Sequence, residues 1–450
     1  MELSRKGFGA YDIRGKYPTE VNEEIAYRIG RTFVELFEAK KVAVGHDIRL
    51  SGPSIRDALV RGLTEMGCDV VDIGQCGTEM IYFATAHLRL DGGIMITASH
   101  NPKEYNGMKL VRKEARPISS DTGLKDIEEK VITGVFAPVN GPKGSVEKID
   151  IMADYIKHLL TYVDLKSLKP LKIVMNTGNG AAGPIINAIE KYLPFECIKV
   201  YNEPDGNFPN GVPNPILQEN REATAKVVRE HHADVGIAWD GDFDRCFMFD
   251  EKGSFIEGYY MVGFLAKAFL AKNKGAKVIY DPRLVWNTIE IAEEMGGIPV
   301  MCKSGHAFIK DRMRKENAVY GGEMSAHHYF KEFSFCDSGM IPWLLVLELL
   351  SKAGRPLSTL MQERMERYPI SGEINSKVQD AKAVLAKIEG LYGKTGTVTK
   401  IDGLSIEYPE WRFNLRMSNT EPVIRLNVEV RQDKKLLKDK TDELLKIIRG

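Results

Sequence analysis

The chain has 450 residues, 43% of them hydrophobic and 28% charged, with Lys plus Arg and Asp plus Glu balanced at 62 each. That length exceeds what one hydrophobic core supports and implies two to four domains. The balanced charge excludes a global field for nucleic acid or an anionic membrane, so any basic site for an anionic substrate has to be local.

The start, MELSRKGFGAYDIRG, lacks the apolar region of a secretory signal, and the run MIPWLLVLELL is too short to span a bilayer and carries Glu348. Cys68, Cys76, Cys197, Cys246, Cys302 and Cys336 are scattered without a CxxC and read as reduced core residues. The expectation is a cytoplasmic protein with neither membrane nor nucleic-acid partner; monomer or dimer is left open.

Three segments share one order of elements. Arg14, in AYDIRG, is a cation in a loop near the chain start, and the first segment begins after it with the apolar strand and polar turn of KKVAVGHDIRLSG. A helix, the strand CDVVDIGQ and the strand of GGIMITASHNP follow. The second runs from LKIVMNTGNGAAGP through FECIKVYN to ADVGIAWDGDFDR, and the third from AKVIYDPRLVWNT through GIPVMCKSGH to NAVYGGEMSAHH. Asp47-x-Arg49-Leu50 echoes Asp281-x-Arg283-Leu284. This order reads as a threefold repeat of an α/β unit with largely parallel sheets, whose ligand loops gather beyond the carboxyl ends of the strands. From about Tyr368 a strand (SGEINSKV), a helix (AKAVLAKIEGLY), several short strands and a terminal helix read as α+β. Charged and Gly/Pro-containing stretches mark the boundaries, giving 1–148, 149–254, 255–367 and 368–450.

The third strand of each repeat ends in an unusual loop. In TASHNP, Asn101-Pro102 explains a turn, but Ser99 and His100 need another reason. A serine nucleophile with a histidine base is disfavoured: neighbouring side chains of a strand point to opposite faces, and there is no GxSxG elbow. Ser99 fits better as the carrier of a phosphoryl group, with Lys109 among the local cations that meet its charge.

DGDFDR spaces Asp240, Asp242 and Asp244 by two, which in an extended segment puts three carboxylates on one face, where a cation has to join them. Oxygen-only ligands point to a hard ion, Mg²⁺ before zinc. An EF-hand reading fails because Arg245 stands where that loop needs glycine and the flanks read as strands.

In GEMSAHH, Glu323, Ser325 and His327 recur at every second position, and a carboxylate beside a hydroxyl suits sugar hydroxyls. His327-His328 suggests metal, but no carboxylate-rich partner lies nearby in sequence. RMSNTEP suits a phosphate, onto which Arg416 can fork while Ser418, Asn419 and Thr420 supply hydrogen bonds and Arg425 assists; a plain strand-to-strand turn is the alternative.

TASHNP, DGDFDR, GEMSAH and RMSNTEP, in this order over nearly the whole chain, resemble the α-D-phosphohexomutase superfamily. AYDIRG, NGMKLV and EYPEWRFNLRMSNTEPVIRLNVE resemble its bacterial phosphomannomutase branch. The resemblance implies three related α/β domains and a smaller C-terminal α+β domain around a central cleft. It implies a phosphoserine at Ser99, Mg²⁺ held by Asp240, Asp242, Asp244 and that phosphoserine, and a transfer site lined by Arg14, His100, Lys109 and Arg245. Glu323 and Ser325 would grip sugar hydroxyls, with His306 and His327 as further contacts, and Arg416, Ser418, Asn419, Thr420 and Arg425 would hold the other phosphate. Arg283 stands where some relatives place a lysine.

The implied reaction converts mannose 6-phosphate to mannose 1-phosphate through a hexose 1,6-bisphosphate, which also serves as activator, and supplies GDP-mannose. Phosphoglucomutase or dual specificity, phosphoglucosamine mutase, and a Mg²⁺-dependent sugar phosphatase with an aspartate nucleophile are the alternatives. A sugar-phosphate-binding protein without catalysis is a further one.

Overall fold

The strands Lys41–His46, Gly92–Ile96 and Val235–Trp239 are buried almost throughout, as apolar runs are when both faces of a parallel sheet are covered. The computed structural model describes residues 3–139, 141–417 and 423–450. Within them the chain forms two compact units, Met1–Phe255 with His327–Gly354, and Ile256–Ala326 with Arg355–Gly450.

Two sheets lie wholly within the first unit. In the first, the order is Ile13–Lys16, Tyr105–Arg112, Gly92–Ile96, Lys41–His46, Asp69–Gln75 and Val146–Lys148. The last four are mutually parallel, while Tyr105–Arg112 returns antiparallel to Gly92–Ile96 and carries Ile13–Lys16 antiparallel on its other side. That return sets Lys109 opposite Met95 and Arg14 opposite Gly107, so two distant cations flank the loop leaving Ile96. In the second sheet, Lys172–Asn176 lies parallel to both Glu196–Val200 and Val235–Trp239. Val235–Trp239 then turns antiparallel into Cys246–Phe249, and residues 240–245 are the connection. Trp239 anchors its base: the ring is fully buried, and Nε1 donates to the Gly339 carbonyl at 2.8 Å.

The second unit has Lys277–Tyr280 parallel to Ile298–Met301 and Tyr320–Gly322. Its other sheet is antiparallel, in the order Ile374–Lys377, Val423–Val430, Trp411–Met417, Leu404–Glu407, Thr397–Thr399. The helices Ala381–Tyr392 and Lys434–Arg449 bring Ile388, Leu444 and Ile448 into one core with Phe413, Leu415, Leu426 and Val428.

The repeat is visible at atomic level. Asp47 Oδ1 accepts from the Arg49 N–H, Asn176 Oδ1 from Gly178 N–H, and Asp281 Oδ1 from Arg283 N–H, each at 2.9 Å. One Asx turn thus follows the first strand of every copy. The architecture is four-domain α/β with mixed sheets, as the sequence led us to expect.

Candidate active site

Ser99 lies beyond the end of its strand, in the left-handed region at φ 50°, and is buried. Strand alternation therefore does not govern it, and the expectation that His100 points away from Ser99 is corrected. His100 Nδ1 lies 3.1 Å from Ser99 Oγ. Ser99 Oγ also donates to Asp240 Oδ2 at 2.8 Å, and Arg245 Nη2 lies 3.5 Å away. His100 Nδ1 accepts from Arg245 Nη2. Burial, then the positive charges of Arg245 and Arg14, push His100 well below the ordinary imidazole range, so its ring is neutral.

Asp240, Asp242 and Asp244 converge, but not along an extended segment. The hairpin turns at once, with Phe243 N donating to Asp240 O at 3.1 Å and Phe243 at φ 45°. Gly241 allows the two loops to touch, since a Cβ there would come within 2.5 Å of the Ser99 carbonyl. Arg245 grips Asp240 through Nε at 2.8 Å and Nη2 at 2.7 Å. Lys109 Nζ lies 2.7 Å from Asp242 Oδ2 and 2.5 Å from Asp244 Oδ2, and Thr78 donates to Asp242. Burial opposes charge on Lys109, yet these two carboxylates raise it above the usual lysine range. Burial likewise opposes charge on Asp242, and Lys109 overrides it to hold that carboxyl well below its usual range. Asp244 is raised, by burial first and then by Asp242.

The ligand atoms of the three aspartates lie within 4.8 Å of one another. Asp242 Oδ1 and Asp244 Oδ1 are buried without a hydrogen-bond partner. Oxygen donors alone, two of them buried and unsatisfied, fit a hard divalent cation. Arg14 completes this cationic wall, fixed by Asp12 at 2.7 Å and donating to Asn101 Oδ1 at 3.0 Å.

His327 and His328 part company. His327 Nδ1 lies 3.0 Å from Asp337 Oδ2 and 4.0 Å from Asp244 Oδ1, so folding supplies the carboxylates that the local sequence lacked. His328 is buried, and burial with the charge of His327 pushes it down to about 3.

In the second unit Glu323 and Ser325 sit in a turn rather than an extended loop, with Ala326 N donating to Glu323 O at 3.0 Å. Glu323 Oε1 accepts from Gly305 N at 2.8 Å, beside His306 at the start of the helix His306–Glu316. Arg283 is held by both Asp281 oxygens at 2.9 Å and reaches Ser325 Oγ at 3.3 Å. Glu373 collects three guanidiniums, with Arg416 and Arg425 at 3.6 Å and Arg283 at 3.8 Å. The strand register explains two of them, since Arg416 and Arg425 face each other across their ladder. Ser418, Asn419 and Thr420 lie outside the described residues.

Asp12, Thr78 and Asp337 join the site without a sequence motif that singles them out. Asp337 stands ten positions beyond His327 across a hairpin, His328–Phe330 with Cys336–Asp337, and no motif spacing announces it. The Asp-x-Arg echo was the one available pointer to Asp47 and Arg49.

Comparison with known proteins follows the same division of the chain. Family models described as phosphoglucomutase/phosphomannomutase, alpha/beta/alpha domains I, II and III, match residues 5–137, 153–253 and 257–368, and the C-terminal domain matches 373–447. A protein of Xanthomonas campestris pv. campestris named phosphohexose mutases is 58% identical over 449 residues, covering 100% of both chains. A phosphomannomutase of Escherichia coli K12 is 55% identical over 448 residues, covering 98% of both. The crystal structure of a phosphoglucomutase/phosphomannomutase family protein from Burkholderia thailandensis superposes with TM-score 0.89 at 33% identity, covering 99% of this chain and 98% of that one.

Proposed function

The chain belongs to the phosphoglucomutase/phosphomannomutase family, and from that membership we propose that it is a phosphomannomutase. It interconverts mannose 6-phosphate and mannose 1-phosphate, the supply for GDP-mannose. Support for the sugar comes from relatives named phosphomannomutase at 55–56% identity over the full chain. The observation that carries the chemistry is Ser99 Oγ, buried 2.8 Å from Asp240 and flanked by Arg245, His100 and the aspartate hairpin. A hydroxyl so placed suits a phosphoryl carrier more than an acyl nucleophile, because the charges around it match a phosphate and a cation.

As phosphoserine, Ser99 gives its phosphoryl to the free hydroxyl of a hexose monophosphate. The serine P–O bond breaks, a sugar P–O bond forms, and the hydroxyl proton leaves to a group in the site. The resulting 1,6-bisphosphate turns over, and its other phosphoryl returns to Ser99. Asp240, Asp242, Asp244 and the Ser99 phosphate would hold Mg²⁺, which supplies neutralisation of phosphoryl charge. Arg245, Lys109 and Arg14 stabilise the equatorial oxygens in transfer, and neutral His100 stands beside Ser99 Oγ for proton movement, its Nδ1 lone pair held by Arg245 until that guanidinium turns to the phosphoryl group. Glu323, Ser325, His306, His327 and Arg283 take the sugar, and Arg416 and Arg425 with Ser418, Asn419 and Thr420 take the phosphate not in transfer. Turning over the intermediate requires that Glu323 and Ser325 grip similar hydroxyls in either pose.

The relative named phosphohexose mutases favours a dual reading, in which glucose phosphates are also used. Coupled assays with mannose, glucose and glucosamine phosphates rank the three. We expect mannose phosphate first and Ser99→Ala inactive; fastest turnover of glucosamine 6-phosphate, or an active Ser99→Ala, overturns the reading.

A further inference from the structure

We propose that Arg49, the arginine of the repeated Asp-x-Arg motif, is a positioning residue for Ser99, which holds the serine loop through its carbonyls; this rests on Ser99 as phosphoryl carrier. The Arg49 side chain is only 1% exposed; Nε faces Asp47 Oδ2 at 3.4 Å, and both Nη atoms are spent on one loop. Nη2 donates to the carbonyls of Ser99 at 2.9 Å and Asn101 at 2.6 Å. Nη1 donates to those of Pro102 and Tyr105, both at 2.8 Å. Four carbonyls converging on one cation draw the loop inward from one side, and the side chain of Ser99 is left on the other.

A second connection fixes the amide side of the same residue. Ser99 N donates to Thr97 Oγ1 at 2.8 Å, and Thr97 Oγ1 donates to Asp47 Oδ2 at 2.7 Å. Asp47 Oδ1 in turn accepts from Arg49 N at 2.9 Å, which closes the circuit. Both the N–H and the C=O of Ser99 are therefore held by one Asp-x-Arg turn. Ser99 needs such restraint, because a non-glycine residue at φ 50° keeps that conformation only where its surroundings over-determine it. The guanidinium is covered by the ring of Phe208, 5.4 Å from its Cζ, so water does not replace these bonds.

The third copy of the motif uses the same frame differently. Asp281 Oδ2 accepts from Met324 N at 2.8 Å, again tying the first loop of the copy to its third. Arg283, however, lays its fork on the side chains of Asp281 and Ser325, with Glu323 and Glu373 at 3.6 and 3.8 Å, and holds no loop carbonyls in the way Arg49 does. A lysine in place of Arg49 offers three donors from a single point and cannot serve carbonyls lying in two directions.

The test uses full-length enzyme carrying Arg49→Lys or Thr97→Val, the second a near-isosteric change that leaves the core volume intact. Misplacing the reacting group by an ångström costs about 100-fold in rate. We expect kcat to fall about 100-fold in Arg49→Lys and about 10-fold in Thr97→Val, with KM within about threefold of wild type. Hydrogen exchange at residues 97–105 should quicken in both, and guanidinium ion should restore part of the rate of Arg49→Ala. Wild-type kcat in Thr97→Val together with unchanged exchange, or a rise in KM alone, overturns the proposal. A wild-type enzyme that takes up no phosphoryl group at Ser99 overturns the functional reading instead, while the exchange measurement still decides whether Arg49 holds the loop.

Discussion

At the scale of single residues, the aspartate hairpin is where charge is most concentrated, and Asp242 is its most instructive member. Its carboxylate is shared with Lys109 and Thr78 through one oxygen and is bare at the other. Asp242→Asn keeps the shape and removes the charge, so we expect a loss of kcat of about 100-fold or more at saturating Mg²⁺, and loss of wild-type turnover in EDTA. Undiminished turnover in either experiment contradicts the metal assignment. The spacing of DGDFDR announced these three residues, and TASHNP announced Ser99, because each is a short run of chemistry-bearing side chains with no structural excuse. The contact of His100 with Ser99 was not legible, since it depends on the left-handed backbone of Ser99 rather than on alternation. Nor was Arg49 legible beyond its echo in the third repeat: bonds from a guanidinium to carbonyls leave no spacing to read.

At the scale of elements, a strand, a helix, a second strand and a later third strand are readable in all three copies from their apolar runs, while the second helix of each copy is not. The edge strand Val146–Lys148 is not readable either, being exposed and charged, and it reads as part of a boundary stretch. Close helix packing is another property the pattern conceals. The helices Glu23–Phe37 and Gly52–Glu65 meet so closely that a Cβ on Gly62 would come within 2.1 Å of the Tyr27 carbonyl. Backbone cannot yield as a side chain does, so Gly62→Ala should cost about 1–3 kcal/mol, read as a lower urea midpoint for the first unit.

The strand His328–Phe330 adds a pH term. His328 is held near 3 when folded against 6.5 in the open chain, so folding excludes its proton. Its contribution is complete above pH 6.5 and is lost as pH falls toward 3, at up to about 1.4 kcal/mol per unit. Urea denaturation at stepped pH should show this slope in wild type and a shallower one in His328→Gln; equal slopes would assign the acid sensitivity elsewhere.

At the scale of the whole molecule, the chain places its chemistry in separate parts of the sequence and in both compact units. The first unit contains Ser99, the proposed carrier, with the aspartates and the cations around them. The second contains the arginines gathered on Glu373 and the Glu323–Ser325 turn. No helix among the described residues is long and apolar enough to cross a membrane. Everything proposed for the second unit depends on a phosphoryl group travelling by way of Ser99. Intact mass of the purified chain, before and after hexose 1,6-bisphosphate and then after excess mannose phosphate, tests that directly. We expect one phosphoryl group gained, mapped to the Ser99 peptide, given up to the sugar, and absent in Ser99→Ala. A stable, unlabelled Ser99 in an enzyme that still turns over mannose phosphate would contradict it.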